Sequence, residues 1–292
     1  MPNNARLDRV YARLLQDHPY GWALYKKVTA QELYPGCCGY FDSDGDWRLL
    51  LDLTIDQDSL TKEGWIAPGP GDQIKTGDEK PMRLTWGPKK SKSVVSRQIG
   101  GELAVNVASP ISPSVTLSFT CESDEGAVLT TQNPVLRHRV GNESAVVRWM
   151  KANRAEMLRR HKEIAERHGI WVVSKTYTTT RSGVAVMSSK SSAVEIGIGA
   201  TVPGVVTLTP SSSWSSSKGD LAAEIHDHSE GVVVFMSGVY FCKKLFKSEL
   251  KLVVERDDQK SKIFRGGYVE SDDEEQDEGG EDDGDGFEIR II

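Results

Sequence analysis

Residues 114–121, SVTLSFTC, alternate apolar and polar side chains without interruption. A period of two predicts a β-strand with one apolar face. The second face carries only small hydroxyl side chains, whereas a solvent-facing strand usually carries Lys, Glu or Arg. Two interpretations therefore stay open: this face lies against water, or it lines a channel.

Three further segments combine an apolar face with a face of mainly small or hydroxyl side chains: 102–108, 182–188 and 193–200. Together with 114–121 they form two pairs separated by a long helical pattern, so we predict two extendable β-hairpins. Transmembrane strands show this alternation over about 9–11 residues. A half-buried strand of a soluble sheet is the better explanation of any one segment, and the membrane interpretation depends on the two hairpins together. The apolar members that we expect to insert into a membrane are Leu103, Val105, Val107, Val115, Leu117, Phe119, Val184, Val186, Val194, Ile196 and Ile198.

Two stretches have the helical period instead. Apolar residues between Leu7 and Leu15 recur at three- and four-residue spacing, which predicts a short amphipathic helix. Residues 144–168 form the longest helical pattern, with Ser144 as the expected N-cap and Gly169 as the stop. The other periodic segments are short strands, so we predict an α+β fold in which helices flank a twisted antiparallel sheet.

Charge is distributed unevenly along the chain. Residues 270–292 hold twelve acidic side chains and one arginine, a net charge of −11; the whole chain carries −6, so the preceding residues carry +5. A run of like charges predicts a disordered, solvated tail. It is either a solubility segment or an intramolecular mask over the basic body.

These patterns predict three regions: a body over 1–250, a linker over 251–269 and the acidic tail over 270–292. The linker contains a polar, glycine-containing stretch beside predicted disorder, the setting in which proteases cut. The candidate cleavage region comprises Lys262, Ile263, Phe264, Arg265 and Gly266.

Motifs for catalysis are missing from the sequence: there is no GxGxxG, no GxxxxGK[ST], no GxSxG and no HExxH. We therefore expect no enzyme activity, no cofactor and no nucleic-acid partner. His226 and His228 would share one face of a strand, as metal ligands can. A metal-dependent, cupin-like enzyme is thus an alternative, although a polar loop leading into a strand explains the same residues.

The four cysteines form no CxxC pair, which favours reduced thiols in a cytosolic protein. The chain shows neither a signal peptide at its start nor an apolar run of the length that a membrane helix needs. We therefore predict that the inactive protein is cytoplasmic.

Three stretches carry a resemblance to a known family: HPYGWALYKKV, PGCCGYFDSDGDW and RHGIWVVSKTYTTTRSGVAV. In these stretches and in the order of its elements over residues 5–250, the chain resembles the gasdermins, specifically the short-tailed fungal members. The resemblance implies a cytosolic precursor that an activating protease releases by removing the C-terminal tail. The released protein would bind acidic phospholipids, form a homo-oligomeric ring, insert both hairpins into the plasma membrane or another cell membrane, and cause regulated cell death.

Basic residues on the first helix and after the last strong strand are the expected contacts to acidic lipid. A second hypothesis, a soluble interaction module whose acidic tail recruits a basic partner, accounts for the same charge distribution. The predicted lipid-binding residues are Arg6, Arg9, Arg13, Lys243, Lys244 and Lys247.

Overall fold

A computed structural model of the chain describes residues 6–69, 71–72, 74, 80–99, 116–190, 192–197, 215–218, 221–243 and 287–292. The predicted α+β class is confirmed, because a curled antiparallel sheet dominates and helices are few. The helices are α1 (Leu7–Leu14), α2 (Gln57–Lys62) and α3 (Glu143–Arg167). The strands are β1 (Trp22–Ala23), β2 (Cys37–Phe41), β3 (Trp47–Asp52), β4 (Met82–Leu84), β5 (Lys89–Lys90), β6 (Val94–Ile99), β7 (Thr116–Cys121), β8 (Gly126–Thr131), β9 (Val135–Arg139), β10 (Ile170–Met187), β11 (Ala193–Gly197), β12 (Ser215–Lys218), β13 (Leu221–Lys243) and β14 (Phe287–Ile291).

Two long strands organise the main sheet. β10 and β13 pair antiparallel along nearly their whole lengths, from Ile170 opposite Phe241 to Met187 opposite Leu221. Shorter strands share their outer edges: β2, β9 and β8 pair with β10, whereas β14, β1 and β12 pair with β13. Three register shifts interrupt the β10–β13 ladder. Such irregularities increase the local twist of a strand, which accounts for the curl of the sheet.

The longest helix forms where the sequence predicts it. The side chain of Asn142 accepts a hydrogen bond from the Ser144 amide, so the cap is Asn142 and not the predicted Ser144. Gly169, with φ of +70°, ends the helix and turns the chain into β10, as expected. The buried residues of α3 pack on Ile170, Val172, Val239 and Phe241 and form a hydrophobic cluster on this face of the sheet.

The amphipathic first helix is also confirmed. Tyr11 and Leu15 are fully buried and pack on the end of the sheet that contains Val184 and Val186. Alternation along β10 turns the neighbouring Ala185 and Met187 to the opposite face.

A second, three-stranded sheet covers that opposite face. Its order is β11–β7–β6, with Leu117 opposite Ile196 and Phe119 opposite Val194. We call it the small sheet. The predicted hairpin between 182–188 and 193–200 is wrong, because 182–187 pairs with β8 on one edge and β13 on the other. With both edges of that stretch occupied, the described part of the second segment pairs with β7 instead.

The C-terminus differs from the prediction as well. We expected 270–292 to be disordered, but Phe287–Ile291 form β14 and pair with Val239–Lys243. The prediction is wrong for these residues; residues 270–286 lie outside the described part of the chain.

Candidate membrane-interaction surface

The small sheet and the main sheet meet through their apolar faces. Val94, Phe119, Cys121, Val194 and Ile196 of the small sheet are buried against β8, β10 and β13. The two layers approach most closely at Gly183, where an added Cβ atom would lie 2.8 Å from Ile196 Cγ2. A residue without a side chain is therefore what permits Ile196 to rest directly on β10.

The outward face of the small sheet has the opposite character. Ser118 and Thr120 of β7 are half-buried, and Ala193 and Glu195 of β11 are exposed. Of the hydroxyl face of SVTLSFTC, Ser118 and Thr120 are thus partly exposed in this state, while Phe119 from the other face lies in the core. Among the described residues, β6 and β11 each pair along one edge only.

The predicted membrane-inserting residues are consequently divided among different environments. Phe119, Val194 and Ile196 belong to the contact between the sheets, whereas Val184 and Val186 pack on the opposite face beneath α1. Leu117 lies in β7 opposite Ile196. Five of the predicted residues lie outside the described part of the chain: Leu103, Val105, Val107, Val115 and Ile198.

The arginines of the first helix lie along its outer side. Arg9 and Arg13 are exposed, and Arg13 Nη2 lies 2.5 Å from Glu125 Oε2. Arg6 is half-buried and lies 2.6 Å from Asp8 Oδ2; that hydrogen bond raises the pKa of the guanidinium. An exposed ion pair contributes only about 0–1 kcal/mol to stability. Arg13 could therefore leave Glu125 and bind another anion with little loss of free energy.

The structure does not bring all six predicted lipid contacts together. Arg6 and Arg9 lie near Tyr240, where their charges help to lower a tyrosine pKa that burial raises. Lys243 follows three residues later and therefore points to the other face, 4.0 Å from Glu166 of α3. Lys244 and Lys247 lie outside the described residues. The described members thus form two separate groups, one on each face of the sheet.

The C-terminal strand β14 is a feature that the sequence analysis missed. Phe287 is buried with Phe241 and the residues of α3, and the two phenylalanine rings are stacked with centroids 5.5 Å apart. Arg154 of α3 donates a hydrogen bond to the Phe287 carbonyl oxygen at 3.1 Å. Phe287, Ile289 and Ile291 alternate with charged residues, which is a pattern typical of a strand. The prediction of disorder from the preceding acidic run took precedence over this pattern.

The two histidines proposed as metal ligands, His226 and His228, form hydrogen bonds within β13. His226 is buried, and its Nε2 atom lies 3.1 Å from Glu224 Oε2. Nδ1 of His228 accepts a hydrogen bond from the Glu230 amide. Across the part of the chain that the structure describes, no three His, Cys, Asp or Glu side chains are grouped so that they could hold a metal ion.

An aromatic cluster is a second feature without a sequence signal. Tyr20, Trp86, Tyr177 and Phe235 come together from four separate segments, and the Lys89 ammonium lies 4.9 Å from the Trp86 ring centroid. Burial lowers the pKa of Lys89. The cluster holds β5 beside β8, and it also holds the segment that follows α1. Its role is therefore structural.

None of the helices in the described residues has the length and apolar character to cross a membrane. The cleavage region over 262–266 lies outside these residues. No protein-family model matches the chain. No curated protein matches its sequence either.

Proposed function

We propose that the chain is a masked pore-forming protein of the gasdermin type, which makes membranes permeable and so causes regulated cell death. The observation that carries the proposal is the small sheet. Phe119 of β7 and Val194 and Ile196 of β11 are buried against the main sheet, and the outward face of β7 presents Ser118 and Thr120. If the sheets separated, Phe119, Val194 and Ile196 could contact acyl chains while Ser118 and Thr120 faced water, which is the division that a membrane barrel requires.

Lipid binding would begin at α1. Arg9 and Arg13 are exposed on its outer side, and each basic residue near an anionic membrane contributes about 1 kcal/mol. Because Tyr11 and Leu15 anchor the helix in the core, bound lipid would lie on the face of the main sheet opposite the small sheet. Lys243 would add a contact from the other face of the sheet; Lys244 and Lys247 follow it in the sequence.

Assembly would use the edges of the small sheet. Open strand edges pair readily with a strand from another molecule. In the described residues β6 and β11 have such edges, so adjacent copies could join their small sheets into one barrel. A protease that cuts within 262–266 would start the process by breaking the covalent connection between the body and the acidic run.

The first experiment measures dye release from vesicles that contain phosphatidylserine or cardiolipin. The full chain would carry a recognition sequence for a specific protease in place of 262–266, and leakage would be measured before and after complete cleavage. We expect leakage only after cleavage. The control is the unaltered chain with the same protease. Absence of leakage from cleaved, folded protein would contradict the proposal and favour a soluble interaction module.

A disulfide across the two sheets tests the opening step directly. An ideal Cβ atom at position 183 lies close to Ile196 Cγ2, so Gly183→Cys with Ile196→Cys places two thiols within bonding range. The cleaved, oxidised double variant should not cause leakage, and reduction should restore it. Each single variant, oxidised and reduced, is the matched control. Equal leakage in the locked and reduced forms would show that the sheets do not need to separate.

A further inference from the structure

The edge of β13 that β14 covers has the properties of a peptide-binding site. Gly238 and Ile292 exchange two backbone hydrogen bonds, of 2.9 and 3.0 Å. In an antiparallel ladder such bonded pairs alternate with non-bonded pairs, so the amides of Arg290 and Glu288 also point toward β13. The backbone of the last residues is thus held as an added strand.

Side chains then define which strand fits. Phe287 fills a space lined by Phe241 and α3, and Arg154 holds its carbonyl oxygen. Ile289 is partly buried in the same cluster, and Ile292 packs on the other face. The strand is therefore selected by Phe287, by Ile289 two positions later and by Ile292 on the other face.

The covalent connection to this strand is indirect. Lys243 and Phe287 are register partners, and residues 244–286 join them in the sequence. A cut within 262–266 would sever that connection without breaking any contact between β14 and the rest of the described protein.

We infer that β13 and α3 form a binding site for an extended peptide of the pattern Phe-x-Ile-x-x-Ile, which residues 287–292 of the chain itself occupy as a detachable ligand. Cleavage of the chain leaves this ligand in place, and its dissociation is a separate step. The binding site is inferred from the geometry of β14 alone. The further statement that this site controls leakage rests on the proposed function.

A proline at position 290 empties the site in the full chain, because it removes an amide that points toward β13 and disfavours the strand. Arg290→Ala is the matched control, since it removes the same side chain and keeps the amide. The probe is a fluorescent peptide with the sequence of residues 286–292. A tethered strand has an effective concentration of about millimolar, so wild type and Arg290→Ala should not bind the probe at ~10 μM.

We expect the Arg290→Pro variant to bind the probe, and to bind a probe carrying Phe287→Asp at least about tenfold more weakly, because the ring provides most of the buried apolar surface. Cys242 reports the state of the strand independently, since its Sγ atom lies 4.0 Å from Glu288 Oε1 and the other described cysteines are buried. Its alkylation should be about tenfold faster in Arg290→Pro than in either other protein.

Faster alkylation of Cys242 without probe binding would overturn the inference, because the edge would then be free and still not bind a peptide. Unchanged alkylation would overturn it as well, since the ladder would not hold the strand. Finally, after cleavage within 262–266, the C-terminal fragment should co-elute with the body in wild type and separate from it in Arg290→Pro. Peptide binding without any leakage from vesicles would refute pore formation and leave the binding site established.

Discussion

The free energy that holds the small sheet on the main sheet decides whether the proposed opening is feasible, and Phe119→Ala measures it. Phe119 is fully buried in the contact between the sheets. Truncation of a core phenylalanine to alanine costs about 3–5 kcal/mol when the surroundings cannot close the cavity. The neighbouring Thr120→Ala, on the half-buried outward face, should cost less than about 1 kcal/mol.

The result depends on how the small sheet unfolds. If it unfolds together with the main sheet, Phe119→Ala lowers the urea midpoint by about 1–2 M, since small proteins lose roughly 1–3 kcal/mol of stability per molar urea. If the small sheet separates first, the midpoint moves less, and the loss appears as faster amide hydrogen exchange confined to β6, β7 and β11. Tryptophan fluorescence and exchange mass spectrometry distinguish the two cases. Equal stability and equal exchange in Phe119→Ala and Thr120→Ala would refute the packing argument.

Three further predictions concern single positions. Gly183→Ala should cost about 1–3 kcal/mol in thermal unfolding because the added methyl collides with the small sheet, whereas Gly141→Ala, with open space around it, should change little. Phe287→Ala should lower the free energy of unfolding by about 3 kcal/mol, and the exposed Ile291→Ala by less than about 0.5 kcal/mol, in urea titrations. Burial lowers the pKa of His18 in the folded protein, so its contribution to stability is lost as the pH falls below the unfolded value of about 6.5, and His18→Gln should lessen the loss of stability between pH 7 and 5. An unchanged pH dependence would count against that account.

The sequence predicts the elements that depend on near neighbours along the chain. The stripe from Leu7 to Leu15 and the stop at Gly169 need only local spacing and local backbone conformation, and both are confirmed. The turn between β2 and β3 is also stabilised locally, because the Asp42 carboxylate accepts hydrogen bonds from the amides of Asp44 and Asp46.

Strand partners could not be predicted in the same way. Alternation states which residues of 182–188 share a face, but it contains no information about which strand lies beside them. The pairing of 182–187 with both β8 and β13 depends on residues distant in sequence. At the C-terminus, the acidic run led to a prediction of disorder, although residues 287–291 alternate apolar and charged side chains. A strand this short gains its stability from a partner strand, and the sequence does not indicate that partner.

β14 also changes what removal of the acidic run requires. Lys243 and Phe287 are register partners, and residues 244–286 join them in the sequence. After a cut within 262–266, the acidic residues up to Asp285 stay joined to β14, and β14 stays bound through Phe287 and the ladder. The charge of the run therefore remains attached to the body through β14 after the covalent bond is broken. Dissociation of one strand would remove that charge, free the edge of β13 and expose Cys242 together, so Arg290→Pro should cause leakage after cleavage faster than Arg290→Ala does.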